Sequence, residues 1–379
     1  MSGASNNQVK AMEIFRFADE LGPEKVVHIH EARLGLKAIV VVDNTAAGPA
    51  IGGTRMASDV SAEECFRLAR AMTFKNAAAG LPHGGAKSVI FGDPMMPPDE
   101  KERHLRAFAA ALRNTSEYIP GPDMGTNEIA MAWVKDETGR AVGLPRELGG
   151  IPLDEIGATG FGLAVAAEVA QEFARVQLDG ARLVVQGFGA VGRHAARFLA
   201  NKGAILVAAS DTKGAVADPY GLDIDRLAAL KADGKSVTDY PGVERLGVED
   251  VIGVDCDIWI PAARPDVILE TNVNALKARL VLQGANIPAT AAAEQRMHER
   301  GILSIPDFIA NAGGVIAAAV EYHGGTEKIA FDTIAEKIAA NTRSVLERAA
   351  AKRIPPRASA IELARNRVER AMRLRRHQA

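Results

Sequence analysis

The stretch ARLVVQGFGAVG, residues 181–192, decides the fold of this chain. Its apolar first half predicts a short strand over Ala181–Gln186, and its glycine-spaced second half predicts a tight turn into a helix. A second strand is predicted over Ala204–Ser210 and ends at Asp211, which lies 211 − 192 = 19 positions after Gly192. This order of strand, glycine turn, helix and strand with a terminal acid is typical of a dinucleotide-binding α/β domain.

Each glycine of the turn has its own physical role in that pattern. Gly187 permits the tight turn, Gly189 lets a pyrophosphate approach the helix N-terminus, and Gly192 allows the helix to pack closely on the strand. Asp211 would bond the ribose 2′-hydroxyl and repel a 2′-phosphate, which favours NAD, although Lys213 leaves NADP open. The alternative is a chance glycine turn in an α/β protein. The other members of the predicted cofactor-binding loop are Phe188, Ala190 and Val191.

A second informative stretch lies upstream, MTFKNAAAGLPHGGAKSVI at residues 72–90. Its glycines and proline predict that a helix ends and the chain turns, with Lys75 near the helix end and Lys87 at the start of a strand-like run. Lysine is costly to bury without a partner, so two lysines aimed at one cleft would indicate an anionic ligand. The alternative is that both ammonium groups reach the solvent, as most lysines do.

Two further loops carry candidate site residues. Residues 48–56, GPAIGGTRM, are predicted as a glycine-rich turn between a strand and a helix, where Gly52 and Gly53 let a substrate group meet backbone amides. Residues 118–127, YIPGPDMGTN, are predicted as a Pro/Gly loop that holds Asp123. That aspartate is either a local capping residue or a general acid/base that the adjacent ammonium group keeps ionised.

The rest of the chain predicts further helices and strands of an α/β protein. Residues Ser61 to Glu64 match a capping box and therefore start a helix. Asparagine-bearing loops at 284–286 and 311–314 are expected at strand ends, where such folds bind ligands. The other predicted helices include Val9–Leu21, Glu327–Leu346 and Ser359–Leu374, and the other predicted strands are Lys25–His30, Leu36–Asp43, Cys256–Pro261 and Leu280–Gln283.

Composition argues against several functional classes. The 379 residues are 47% hydrophobic and 24% charged, and the net charge of −2 gives no sign of a nucleic-acid or anionic-membrane partner. The N-terminus lacks a signal-peptide pattern, and no apolar run has the length of a membrane span. Two distant cysteines, Cys65 and Cys256, fit a reducing cytoplasm, and the eight scattered histidines show no metal-ligand spacing. We therefore expect a cytoplasmic protein that binds a small molecule and no metal.

Several motifs, taken in order, resemble the glutamate/leucine/phenylalanine/valine dehydrogenases over roughly Gln8–Met372. These motifs are GGTRM at 52–56, MTFKNAAAGLPHGGAKSVI at 72–90, GPD at 121–123, ATG at 158–160, GFGAVG at 187–192 and NAGGV at 311–315. The resemblance implies NAD(P)-dependent oxidative deamination of an L-amino acid to its 2-oxo acid and ammonia. It also implies a homo-oligomer of two-domain α/β subunits. Their substrate-binding and assembly domain is residues 1–150 completed by C-terminal helices at 340–379, and their Rossmann-type domain is 151–339.

The resemblance also implies roles for individual residues. Lys75 matches the lysine that binds the substrate α-carboxylate. Lys87 matches the catalytic lysine, which polarises the carbonyl and activates water, and Asp123 matches the acid that moves protons to and from the amino group. The residues that match the surroundings of the nicotinamide are Thr159, Asn286 and Asn311, the last of which is also near the substrate.

Two positions bear on which amino acid is accepted. Glutamate-specific members of that family carry a lysine just before the Gly-Gly pair and a serine seven positions after the asparagine of NAGGV, and both hold the side-chain carboxylate. Here those positions are Ile51 and Ala318 (311 + 7 = 318), which cannot bind an anion. A pocket lined by Ile51, Val315 and Ala318 favours an apolar amino acid of the leucine, valine or phenylalanine type.

Other features keep glutamate as the alternative substrate. Pro122 stands where leucine dehydrogenases typically have a glutamate, and GPDMGTN, IPDFIANAGGV and the long C-terminal helices are similar to those of glutamate dehydrogenases. A catalytically silent binding protein of the same fold is a third hypothesis. The presence of Lys75, Lys87 and Asp123 argues against it.

Overall fold

The computed structural model describes residues 15–375, which form two compact units. Unit 1 extends to Ile151 and resumes at Ala364, and unit 2 comprises Pro152–Leu363. Residues 340–363, which we expected in the first domain, cluster with unit 2.

Of the N-terminal helix predicted over Val9–Leu21, the described part, Phe15–Leu21, is not helical. Residues 9–14 lie outside the described part of the chain, and the segment from Phe15 onward forms turns. The Asp19 carboxylate accepts a hydrogen bond from the Leu21 amide at 2.9 Å, and such a local side-chain turn competes with helical hydrogen bonding.

Unit 1 is built on one mixed sheet. Its strands are β1 (Lys25–Glu31), β2 (Leu36–Asn44), β3 (Ala50–Ala57), β4 (Gly84–Phe91) and β5 (Tyr118–Pro122). Their order is β1-β2-β4-β3-β5, with β2 antiparallel to both of its neighbours and β3 parallel to β4 and β5. The helices are α1 (Ala62–Ala78), α2 (Pro98–Ala111) and α3 (Glu128–Thr138). The predicted first two strands are confirmed.

Both faces of this sheet are covered, which explains why β2 is almost continuously apolar. Val40 and Val42 point into a core with Leu105 and Phe108 of α2. Their neighbour Val41 belongs to a smaller core on α1, together with buried side chains such as Cys65 and Ala69.

The turn predicted over the glycine-rich segment 48–56 is wrong for most of its length. From residue 50 onward the segment forms strand β3. A Cβ atom on Gly52 would lie 1.7 Å from the Ala86 carbonyl oxygen. The paired glycines therefore allow two backbones to approach closely inside a sheet, which glycine permits as readily as a turn. The loop predicted at 118–127 likewise begins as strand β5.

Unit 2 is built on a larger sheet. Its strands are β6 (Arg182–Gln186), β7 (Ile205–Asp211), β8 (Gly214–Ala217), β9 (Glu244–Leu246), β10 (Ile258–Pro261), β11 (Leu280–Leu282) and β12 (Leu303–Ile305). Their order is β12-β11-β10-β6-β7-β8-β9, in which the first five strands are parallel and β8 and β9 are antiparallel additions. The order reverses beside β6, and open parallel sheets bind ligands at the carboxyl ends of strands next to such a point.

Helices surround the parallel strands of unit 2. They are α4 (Ala158–Ala174), α5 (Ala190–Ala200), α6 (Ile224–Ala232), α7 (Ala291–Glu299), α8 (Asp307–Ala310), α9 (Gly313–Tyr322) and α10 (Glu327–Lys352). The last helix, α11 (Pro356–Leu374), begins in unit 2 and ends in unit 1. Asn311, which we expected after a strand, lies between α8 and α9.

Residues 15–375 contain neither a candidate membrane span nor a candidate metal cluster. No helix there is long and apolar enough to cross a membrane. No group of three or more His, Cys, Asp or Glu side chains in that part of the chain is arranged to hold a metal ion.

Candidate active site

A buried lysine–aspartate pair lies in unit 1. Lys87 is in β4 with its side chain 6% exposed, and its Nζ donates to Oδ2 of Asp123, just after β5, at 2.6 Å. The glycine between them on β3 is needed for space, because a Cβ atom on Gly53 would lie 2.9 Å from both Lys87 Nζ and Asp123 Cβ. The structure thus brings together three predicted site residues that lie far apart in sequence.

Burial and charge act in opposite directions on the two groups of this pair. Burial lowers the pKa of Lys87 below its ordinary value, because desolvation penalises the ammonium form, and Asp123 offsets this only in part. Burial alone would raise the pKa of Asp123, but Lys87 and Arg55 outweigh it and hold that pKa below the ordinary value. The pair therefore combines an easily deprotonated lysine with an ionised carboxylate, which suits proton transfer.

Arg55 is a site residue that the sequence analysis missed. Its Nε donates to Asp123 Oδ2 at 2.9 Å, and its Nη1 forms an ion pair with Glu64. Ser61 does cap α1 by accepting from the Glu64 amide at 3.1 Å, as predicted, but the Glu64 carboxylate binds Arg55. The capping-box pattern explains Glu64 as a helix-start residue and gives no sign that its carboxylate pairs with Arg55.

The predicted carboxylate-binding lysine lies at the end of α1. Lys75 is half-buried in the last turn of that helix. The next residue, Asn76, donates from Nδ2 to the Ile51 oxygen at 3.2 Å and to the Gly84 oxygen at 2.6 Å. These bonds fix the end of α1 against the two strands that carry Gly53 and the buried lysine.

A hydroxyl network also ties the three site strands together. The Tyr118 hydroxyl donates to the Gly52 oxygen at 3.1 Å and lies 2.8 Å from Ser88 Oγ. Ser88 directly follows Lys87 on β4. Ser88 in turn donates to Thr54 Oγ1 at 3.1 Å. All of these groups are buried, so the network holds the site strands in a fixed register.

In unit 2, a cavity of about 770 Å³ opens at the end of β6. It is lined by Gly187, Phe188, Gly189 and Asp211, among other residues. Gly187 has a φ of 95°, a conformation that glycine adopts without strain. A Cβ atom on Gly189 would meet nothing within 4 Å, so the start of α5 is open to a ligand. The cavity has the size of a cofactor site, and its residues fit a pyrophosphate at a helix N-terminus.

The rest of the glycine motif packs α5 onto β6. A Cβ atom on Gly192 would lie 2.1 Å from the Gly187 oxygen, so the helix approaches the strand as predicted. Ala190 and Val191 form the first turn of α5 and are half-buried.

Asp211 is fixed by its own surroundings. Its carboxylate accepts from Lys231 Nζ at 2.7 Å, from Ser236 Oγ at 2.9 Å, and from the amides of Val237 and Lys213 at 2.9 and 3.0 Å. Burial opposes ionisation, but these donors outweigh it and lower the pKa of Asp211 to about 2. The acid is therefore charged at the cavity wall, with Lys231, which the sequence analysis missed, beside it.

The predicted nicotinamide residues form a second cluster in unit 2. Asn311 donates from Nδ2 to the Gly284 oxygen and to Asn286 Oδ1, both at 3.2 Å. Its Oδ1 is buried and accepts no hydrogen bond within the described residues, which leaves an acceptor for a ligand amide. Thr159 lies against the start of α9, since a Cβ atom on Gly314 would be 3.2 Å from Thr159 Oγ1.

Comparison with known proteins agrees with this geometry. Residues 149–376 match the family model described as Glutamate/Leucine/Phenylalanine/Valine dehydrogenase, and residues 23–140 match that of the Glu/Leu/Phe/Val dehydrogenase dimerisation domain. The chain belongs to the Glu/Leu/Phe/Val dehydrogenase family. It is therefore an NAD(P)-dependent amino acid dehydrogenase that acts on CH–NH2 donors.

Individual members of the family align over most of their length. The chain is 36% identical to the NAD-specific glutamate dehydrogenase of Staphylococcus aureus over 88% of this chain and 84% of that protein. It is 39% identical to the NADP-specific glutamate dehydrogenase of Saccharolobus shibatae over 74% of this chain and 69% of that protein. The hetero-hexameric glutamate dehydrogenase of Thermus thermophilus (Leu bound form) superimposes with a TM-score of 0.84 at 28% identity, covering 99% of this chain and 97% of that one.

The positions predicted to select the substrate side chain are Ile51, Val315 and Ala318. Ile51 is buried in β3 of unit 1 at 3% exposure. On α9 of unit 2, Val315 is half-buried and Ala318 is buried.

A half-buried arginine, also missed from sequence, supports the Asn286 loop of the dehydrogenase. Arg357 donates from Nη2 to Gln283 Oε1 at 2.7 Å and to Asp307 Oδ1 at 2.8 Å. The other oxygen of Asp307 accepts from the Ile287 amide at 2.8 Å. The network fixes this loop by charge-assisted hydrogen bonds, which are stronger than neutral ones.

Proposed function

We propose that this dehydrogenase deaminates L-glutamate to 2-oxoglutarate and ammonia, with NAD as the hydride acceptor. The buried Lys87–Asp123 pair, with 2.6 Å between Nζ and Oδ2, carries the proposal of amine chemistry. Glutamate is the first candidate substrate because long stretches of the chain are similar to glutamate dehydrogenases.

The roles proposed for the unit 1 residues follow from their chemistry. Lys75 binds the α-carboxylate of the substrate as a cation, and Gly52 and Gly53 offer backbone amides. Hydride loss from Cα leaves an imine, and the lysine in β4, easily deprotonated because it is buried, activates the water that adds to it. Asp123 moves the proton to the amino group that leaves as ammonia. Water supplies the oxygen of the 2-oxo acid, so atoms and charge balance.

The proposed dinucleotide site is the unit 2 cavity. When bound there, the dinucleotide supplies the acceptor for the hydride. The start of α5 at Gly189 would hold the pyrophosphate, and Asp211 would accept from the ribose hydroxyls, which favours NAD. Asn311 and Asn286 would bind the carboxamide, and Thr159 would lie near it.

An apolar amino acid is the second candidate substrate. Ile51 and Ala318 offer no cation or hydroxyl to a side-chain carboxylate, and leaving one unpaired in a buried site costs several kcal/mol, on the order of 3 or more. Leucine, valine or phenylalanine would instead gain from burial against these side chains and Val315.

A substrate panel tests these alternatives. The purified protein is assayed for NADH or NADPH formation with L-glutamate, L-leucine, L-valine and L-phenylalanine, each with NAD and NADP. We expect the highest kcat/KM with glutamate and NAD. The Ile51→Lys variant places a cation at the position that differs, and Ile51→Met is its matched apolar control.

The outcome separates the two substrates. If leucine or another apolar amino acid is preferred, and Ile51→Lys shifts the preference toward glutamate by about 100-fold or more while Ile51→Met does not, the glutamate proposal is wrong. Turnover of none of the four would instead favour the silent binding protein.

The setting of the activity is part of the proposal. We place the enzyme in the cytoplasm as a complex of identical subunits. The match of residues 23–140 to a dimerisation domain supports assembly, and the two buried free cysteines, Cys65 and Cys256, agree with a reducing compartment.

A further inference from the structure

Arg55 is the third charged side chain at the lysine–aspartate pair. Its Nε donates to Asp123 Oδ2 at 2.9 Å, the same oxygen that accepts from Lys87 Nζ at 2.6 Å. The arginine side chain is only 16% exposed, and its second contact is the ion pair with Glu64 on α1. Two cations from neighbouring strands therefore share one carboxylate oxygen.

Resting on the proposed function, we infer that Arg55 is a positioning residue for the reaction. Together with Lys87 it fixes Oδ2 of Asp123 and so leaves Oδ1 as the atom that exchanges protons with the substrate amino group. Within residues 15–375, Oδ1 accepts no hydrogen bond and is not among the fully enclosed polar atoms, so a substrate can reach it.

Glu64 completes the arrangement. A guanidinium group presents its donors in a rigid plane, so holding Nη1 at Glu64 fixes the direction in which Nε points at Asp123. Lysine at this position would offer one flexible ammonium group and could not bridge both carboxylates in the same way. Asp123 is held further by its own amide, which donates to Thr126 Oγ1 at 3.0 Å.

The charges around Asp123 predict the direction of a pH effect. Burial pushes the pKa of Asp123 up, and Lys87 and Arg55 bring it down, so removing Arg55 raises that pKa. Arg55 also lowers the pKa of Lys87 by repulsion, so its removal raises the lysine pKa too. The other ionisable groups nearby are Glu64, Cys65 and Tyr118, of which burial keeps the thiol and phenol protonated.

The experiment compares pH profiles of kcat for oxidative deamination. In Arg55→Gln, the higher pKa values of Asp123 and Lys87 both move the acidic limb of the kcat profile to higher pH. We expect a shift of about one pH unit, because an opposite charge at this distance shifts a pKa by that order. We expect kcat at neutral pH to fall about ten-fold, with KM for the amino acid within about three-fold. Glu64→Gln should lower kcat by less than Arg55→Gln does, because it loosens the hold on Arg55 without removing the guanidinium charge. Arg67→Gln, an exposed arginine on α1, is the matched control and should match the unsubstituted enzyme.

A second readout does not depend on turnover. The pH dependence of Lys87 acylation, measured by mass spectrometry of the labelled peptide, should shift upward in Arg55→Gln even if that variant is inactive. An unchanged limb and an unchanged labelling curve would overturn the inference. A raised KM with an unchanged profile would also overturn it, since Arg55 would then be a substrate-binding residue. If the unsubstituted protein deaminates no amino acid, the proposed function fails. The labelling shift then still tests whether Arg55 influences the protonation of the Lys87–Asp123 pair.

Discussion

Lys87 and Asp123 have their proposed chemistry only because they are buried together. A lysine with 6% of its side chain exposed would be costly without a counter-ion, and the nearby carboxylate supplies one at 2.6 Å. The same burial lowers the pKa of the lysine, which an exposed ion pair would not do.

Replacing Lys87 with alanine removes the proposed water-activating group. We expect kcat for oxidative deamination to fall by about 1,000-fold, since one general acid–base group contributes about 100- to 10,000-fold. NADH binding, measured by fluorescence titration, should stay within two-fold because the proposed dinucleotide residues lie in unit 2. A variant that kept full activity would contradict the catalytic assignment.

Single residues were predicted unevenly from the sequence. Lys87, Asp123 and Gly187 could be proposed from the sequence because buried charge and glycine spacing have strong chemical meanings. Arg55, Lys231 and Arg357 were missed because an arginine or lysine in sequence looks like any solvated cation until its partners are known. Their partners lie 9 to 74 positions away along the chain.

Strand β3 shows how a glycine pair is misassigned. Glycine clusters usually mark turns, but here the missing side chains let β3 approach β4 at Ala86. The predicted strand–helix alternation of unit 2 is confirmed, whereas β8, β9 and β12 were missed. Strands of three or four residues are too short to show a two-residue period, and these three, unlike β10 and β11, are not marked by an uninterrupted run of large apolar side chains.

The close contact between β3 at Gly52 and β4 at Ala86 predicts that a side chain at Gly52 destabilises the protein. The Gly52→Ala variant places a Cβ atom 1.7 Å from the Ala86 oxygen, so the strands must separate. We expect the free energy of unfolding to fall by about 3 kcal/mol or more, measured by denaturant titration, because overpacking a core typically costs about 1–3 kcal/mol.

The control for that variant is Gly253→Ala. A Cβ atom there would meet nothing within 4 Å, so its stability should change by less than about 1 kcal/mol. Equal stability of the two variants would mean that β3 and β4 can move apart freely.

The part of α11 from Ala364 onward belongs to unit 1. Arg367 of that helix donates from Nη1 to the Ala77 and Ala78 oxygens at 3.1 and 2.6 Å, and Val368 is buried beside it. These are the last carbonyls of α1, the helix that carries Lys75. The resemblance implied that C-terminal helices complete the first unit, and residues from Ala364 onward do belong to it. The point at which the chain passes from unit 2 back to unit 1 depends on packing that no local pattern encodes.

Arg367→Met should therefore destabilise unit 1. Hydrogen bonds from a charged donor to helix-terminal carbonyls contribute about 1.5–3 kcal/mol, so we expect a loss of that order in the free energy of unfolding. The matched control is Arg370→Met, which changes an exposed arginine on the same helix and should leave stability unchanged. Equal losses in both variants would assign the effect to helix charge.

The path of α11 also sets the order in which the molecule can be finished during translation. Residues 25–151 are made before unit 2, yet the helix segment that bonds the end of α1 is made after it. All of unit 2 is synthesised in between. A nascent chain that ends between Leu363 and Arg367 therefore has every residue of unit 2, but it lacks the arginine that bonds the end of α1, the helix that carries the proposed carboxylate-binding lysine.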